Sequence, residues 1–221
     1  LESEPEIEFR NMNSCYNGLR EDCFNPTYFE AWKSGRTGYP MIDACMRFLT
    51  ATGWLNFRMR ALLISFSSQH LWLHWREPSV HLAGLFTDYE PGIHYSQAQM
   101  QSGTTGINTI RIYNPIKQGL DQDPKGRFVR QWVPELKDID QEFIHTPWLS
   151  PNRPKGYPPP IVDEKTSRQM ASKKLYAVKG KPEHKEIARE VYVKHGSRKG
   201  KQSTKRTRIS PKNKLQGELN F

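Results

Sequence analysis

The stretch Trp32-Lys33-Ser34-Gly35-Arg36-Thr37-Gly38-Tyr39-Pro40-Met41-Ile42-Asp43-Ala44-Cys45-Met46-Arg47-Phe48-Leu49-Thr50-Ala51-Thr52-Gly53 decides the fold class. Gly35 and Gly38 permit a tight backbone turn, and Pro40, with its fixed φ, suits the first position of a helix. From there Met41, Ile42, Cys45, Met46, Phe48 and Leu49 recur at three- and four-residue steps, the period of a helix with one buried face. Thr52-Gly53 should end it. A second helix is expected from about Trp54 to Trp75, carrying Phe57, Leu62, Leu63, Phe66, Leu71 and Leu73. A third, short one should run from Val80 to Phe86, before an irregular stretch at Asp88–Gly92. No strand-like alternation persists over more than a few residues, so the expected class is all-α, a helical bundle.

Away from this centre the pattern weakens. The residues before Ala31 are polar and broken by Asn17-Gly18 and Asn25-Pro26, which predicts loops and short helical turns. Gly103–Pro160 is rich in turn formers and reads as ordered loop with a short helix at Arg127–Val133. Val162–Ala177 and Lys185–Val193 are expected to be helical. Gly196–Lys214, rich in Ser, Lys and Arg, reads as disordered.

A chain of 221 residues, 36% apolar and 25% charged, can bury a core of its own. No apolar run approaches the roughly 20 residues that cross a bilayer. Even Ala61–Trp75 is interrupted by Ser65, Ser67, Ser68, Gln69, His70 and His74. The opening Leu1–Glu8 is acidic and has no apolar segment, so no secretory leader and a cytoplasmic protein are expected. Its first residue is not Met, which suits a fragment. The cysteines Cys15, Cys23 and Cys45 lack metal-ligand spacing and read as free thiols, with Cys45 in the core; no metal site is expected. The net charge of +10 is uneven: residues 1–166 hold 17 basic and 19 acidic side chains, residues 167–221 hold 16 and 4.

Four segments in order carry a family resemblance. They are Trp32-x-x-Gly35-x-Thr37-Gly38-Tyr39-Pro40-x-x-Asp43-Ala44-x-Met46-Arg47, Gly53-Trp54-x-x-x-Arg58-x-Arg60, Arg111-Ile112-Tyr113-Asn114-Pro115, and Gly126-x-Phe128-x-Arg130-x-Trp132-x-Pro134-Glu135-Leu136. Over residues 25–165 the chain resembles the photolyases and cryptochromes, as the C-terminal half of their helical FAD-binding domain. The resemblance implies FAD in a helical cavity whose mouth faces DNA containing pyrimidine dimers, and light-driven electron transfer from reduced flavin that splits the dimer. It implies that the missing N-terminal half of the same protein supplies the rest of the cavity, so that this piece alone binds FAD weakly or not at all. The domain division expected is 1–165 for the flavin part, 166–195 for a helical extension and 196–221 for a flexible basic tail able to add salt-dependent affinity for nucleic acid. A monomer is expected.

Trp54 and Arg58, four apart, should share a helix face, and Asn56 and Arg60 another. By the resemblance Trp54 lines the flavin/DNA pocket, Arg58 contacts DNA phosphates, and Arg60 pairs with Asp88 beside the flavin. Asn56, Asp88, Glu90 and His94 join Arg60 as cofactor contacts, with His94 facing flavin N5. Some positions depart from the family. Phe57 stands where Asn is usual, Asp88-Tyr89-Glu90 replaces Asp-x-Asp, and Ala98-Gln99-Met100 replaces Trp-x-Trp. Met100 is left as an apolar wall of the dimer pocket, whereas Ala98 cannot relay an electron. Trp75 alone remains of the electron-transfer tryptophans, the outer position being Asp22; Trp72, taken to share its helix face, is a conceivable second route. Two other functions stay open: a cryptochrome-like blue-light receptor without repair activity, and a flavin-free DNA-binding module on the same scaffold.

Overall fold

The glycine turn does more than reverse the chain. In the computed structural model, which describes residues 4–195, it holds a buried carboxylate. After α1 (Pro26–Lys33), capped by the Asn25 side chain and longer than the turns expected there, the chain passes through Gly35–Tyr39 into α2 (Pro40–Thr52). Asp43, fully buried in the first turn of α2, accepts from the Thr37 amide at 2.8 Å, the Thr37 hydroxyl at 2.7 Å and the Gly38 amide at 3.0 Å. The Tyr157 hydroxyl supplies a fourth donor from far along the chain. Burial pushes the Asp43 carboxyl up, and the four donors work against that shift. Gly38, at φ 80°, lies so close to a later strap that a Cβ there would fall 2.3 Å from the Pro159 carbonyl. That strap is further tied by Ile161 N to Thr37 O at 3.0 Å and by Tyr39 Oη to Val162 O at 2.7 Å. Gly53, at φ 72°, ends α2 as expected.

The long second helix is corrected. α3 spans Phe57–Ser65 with Asn56 as its N-cap, then widens into a π-helical turn at Phe66–His70 and stops. Every residue from Phe66 to Leu73 is buried, so the apolar pattern marks an enclosed segment rather than one helix face. Trp72 takes a left-handed φ of 56°, with the Arg20 guanidinium 4.3 Å from its ring and the Lys174 ammonium 4.7 Å away. Trp54 precedes the cap, so it does not share a helix face with Arg58, and Trp72 does not share one with Trp75.

α4 (Arg76–Ala83) begins earlier than the helix expected at Val80–Phe86. α5 (Pro91–Ser102) was not foreseen, because its buried side includes Gln99, Gln101 and Ser102 and gives no apolar period. α6 (Pro115–Gln122) starts on the Asn114 cap inside the turn-rich region. α7 (Arg127–Trp132) matches its expected place. α8 (Glu164–Lys179) and α9 (Pro182–His195) follow, near their expected positions. No strand occurs among the described residues, so the all-α class holds. The tail expected to be disordered lies outside the described residues. α2 is central, packed by α3, α6 and α7, while α3 and α4 both pack on α5. A smaller cluster of Tyr16, Trp72, Ala171, Leu175 and Val178 seats α8. The three cysteines are free, with Cys45 in the core.

Candidate functional site

α3, α4 and α5 converge on a cavity of about 210 Å³. Ile64, Leu82 and Phe86 make its apolar wall, and Arg60, Asp88, Glu90, His94, Gln97 and Gln101 bring polar groups to it. The spacing 90, 94, 97, 98, 101 is one face of α5, which is how a helix without an apolar stripe still lines a pocket.

Each polar group has a defined state. Arg60 Nη2 bonds both carboxylate oxygens of Asp88, at 2.9 and 2.8 Å, and its guanidinium lies 4.1 Å from the Phe86 ring centroid. That hydrogen bond from Arg60 holds the Asp88 carboxyl below its ordinary range. The pair expected from the sequence is therefore formed, at the cavity. Glu90 is the N-cap of α5 and accepts from the Gly92 and Ile93 amides, at 3.1 and 2.6 Å. His94 Nε2 lies 2.8 Å from the Ser79 carbonyl, which requires Nε2 to carry the proton. Burial lowers the His94 pKa, with Arg60 adding to the effect, so at neutral pH the ring is uncharged and Nδ1 keeps its lone pair. The Gln97 side-chain carbonyl is buried without a partner.

The other expected site residues are placed as follows. Asn56 caps α3 by accepting from the Met59 amide at 3.1 Å and does not line the cavity. Phe57, beside it, does line it and is 58% exposed. Trp54 and Arg58 are exposed near the same end of α3 but outside the cavity wall. Ala98 is in the wall; Met100, two residues on, is not. Trp75 is fully buried, donates to Asn11 Oδ1 at 2.8 Å and meets the Tyr95 ring edge-on at 6.4 Å. Tyr95 in turn meets Tyr89, a cavity residue, at 6.5 Å. Sequence reasoning missed Gln97 and Phe86; the first is legible only once α5 is known to be a helix.

The FAD-binding domain model of DNA photolyase matches residues 1–177. The chain belongs to that family. Photolyases and cryptochromes are alike among its relatives. It is 37% identical over 149 residues to the deoxyribodipyrimidine photo-lyase of Escherichia coli, covering 65% of this chain and 32% of that one. It is also 37% identical over 158 residues to Arabidopsis thaliana cryptochrome-2, covering 66% and 26%. The archaeal photolyase of Sulfolobus tokodaii, solved with two FAD molecules, superposes with a TM-score of 0.74 at 34% identity over 79% of this chain and 40% of that one. The chain thus spans about a third of the length of the curated photolyases it matches.

The cavity suits the cofactor of this photolyase domain. Phe86 and Leu82 give an apolar wall against which a flat ring could lie, and the unpartnered Gln97 carbonyl and the His94 imidazole lone pair are acceptors that would suit its polar edge. Among the described residues no group of His, Cys, Asp or Glu could hold a metal ion.

Proposed function

We propose that the chain is part of a FAD-dependent, light-driven photolyase that splits pyrimidine dimers in DNA. The observation that carries this reading is the cavity itself: an Arg60–Asp88 pair, a neutral His94 and an orphaned Gln97 carbonyl set around an apolar slot. Bound FAD would supply light absorption and one-electron transfer. Arg60, held by Asp88, brings a positive charge to the cavity and would set it beside a bound flavin. With Nε2 donating to Ser79, His94 Nδ1 has only a lone pair to offer, so it would accept, not donate, toward a bound flavin. Glu90 holds the N-terminus of α5 in place. Asn56 supports Arg60 through the cap of α3. Trp54 and Met100 belong to the lesion-facing side, and Arg58 to phosphate contact at the rim. Trp75 is the electron-transfer residue, reached through Tyr95 and Tyr89. The rest of the photolyase completes the cavity, and the chain alone binds FAD weakly or not at all.

The test is illumination of the flavin-loaded parent protein with DNA carrying cyclobutane dimers. Light-dependent loss of dimers is expected; flavin photoreduction with dimers intact would refute repair and leave a blue-light receptor. Ala98 favours that second reading, because a buried methyl in the cavity wall offers no electron to the ring. A parent protein that binds no flavin would sink both.

A further inference from the structure

The family match stops at residue 177, yet α9 begins at Pro182 and is docked: Tyr16 Oη and His184 Nε2 are 3.1 Å apart, and Val191 is buried. At about 100° per residue its side chains fall into separate arcs. His184, Ile187, Ala188 and Val191 face the protein. Glu183, Glu186 and Glu190 form an acidic arc. Lys185, Arg189 and Tyr192 form a third, exposed one, with exposed Lys181 just before the helix.

We propose that this third arc is a phosphate-binding stripe that engages the nucleic-acid backbone away from the flavin cavity. The inference rests on the DNA reading above and extends it to a second contact. A merely solvated helix interleaves opposite charges at four-residue spacing, which stabilises it. Here Lys185 and Arg189 succeed one another at that spacing, like charge on like, with Lys181 just ahead of the helix, and none of the three has an ion pair among the described residues. Such an array is relieved by a polyanion with regularly spaced charges. The setting adds to it: residues 1–166 are slightly acidic, while 167–221 hold 16 basic and 4 acidic residues. Of these, the described residues 167–195 carry 8 basic and 3 acidic, a net positive setting for the stripe. Tyr192, 53% exposed beside Arg189, offers an aromatic face next to the charges. An anionic membrane is the poorer partner, because the helix spends its apolar arc on Tyr16 and its neighbours and has no broad face left to insert.

The measurement is affinity of the chain for undamaged duplex DNA as a function of salt. The Lys181→Gln/Lys185→Gln/Arg189→Gln variant should flatten the log–log slope by roughly 2 to 3, since each phosphate contact contributes about 0.9. It should also weaken binding at least tenfold at low salt. Glu183→Gln/Glu186→Gln/Glu190→Gln, on the acidic arc, should bind at least as tightly as the unaltered chain. Helix content by circular dichroism should be the same in all three. An unaltered slope in the first variant would overturn the stripe, as would a loss confined to vesicles of phosphatidylserine. Light-dependent dimer loss by the loaded parent protein, measured at saturating DNA, should survive the stripe substitutions. If the slope changes but no lesion is split, the stripe stands and the repair reading falls; repair with an unchanged slope gives the reverse.

Discussion

Arg60 illustrates how a side chain divides between stability and function. Its partner Asp88 is 51% exposed, and exposed pairs contribute roughly 0–1 kcal/mol to folding. The pair lines the cavity, so its weight falls on what the cavity would hold more than on folding. Arg60→Gln should leave the melting temperature of the chain nearly unchanged. In the loaded parent protein it should weaken FAD binding about tenfold or more, the scale of a lost charge-assisted hydrogen bond, read by flavin fluorescence titration. The Arg60–Asp88 pair was legible in the sequence through the family resemblance, and the structure forms it. Asn56 was not. Its residue type suits both a ligand contact and a helix cap, and only the position of the α3 start decides between them.

Among the elements, the π-helical turn at Phe66–His70 is the least readable from sequence, and it carries a group that responds to acid. His70 stacks on Phe66 at 5.1 Å, and neither of its ring nitrogens has a hydrogen-bond partner. Glu164 lies 3.8 Å away but is held by Arg168 at 2.8 Å, so the imidazole gains little from it. Burial, aided by Arg168, brings its pKa down to about 4. A histidine whose folded value lies below its unfolded one binds a proton more readily when unfolded. Its stabilising contribution is therefore full above about pH 6.5 and is lost as pH falls toward 4, by about 3 kcal/mol for this group. His70→Phe keeps a ring against Phe66 and should remove that part of the acid sensitivity in urea titrations run at successive pH values. The start and stop of α2 were readable, since Pro40 and Gly53 constrain the backbone themselves. The break after α3 was not, because burial on all sides erases the periodicity that marks an element. α5 was hidden for the opposite reason, having a polar buried face.

At the scale of the molecule, the family likeness gave the class and the cavity, while the docking of α9 came from the structure alone. The turn at Gly35–Asp43 and the strap at Tyr157–Val162 tie an early and a late stretch of the chain together. Gly38→Ala would drive a Cβ into the Pro159 carbonyl and force a left-handed φ on a substituted residue. We expect it to cost at least about 2 kcal/mol, measured by thermal unfolding, and to leave the strap open to limited proteolysis. The same clasp sets a timetable. Tyr157 lies 114 positions after Asp43, so at roughly 5–20 residues per second a ribosome takes on the order of 6–20 s to deliver it. Throughout that interval α2 can nucleate, but its carboxylate lacks the fourth donor and the turn lacks its cover. Closure of the turn at Asp43 therefore waits on the arrival of Tyr157.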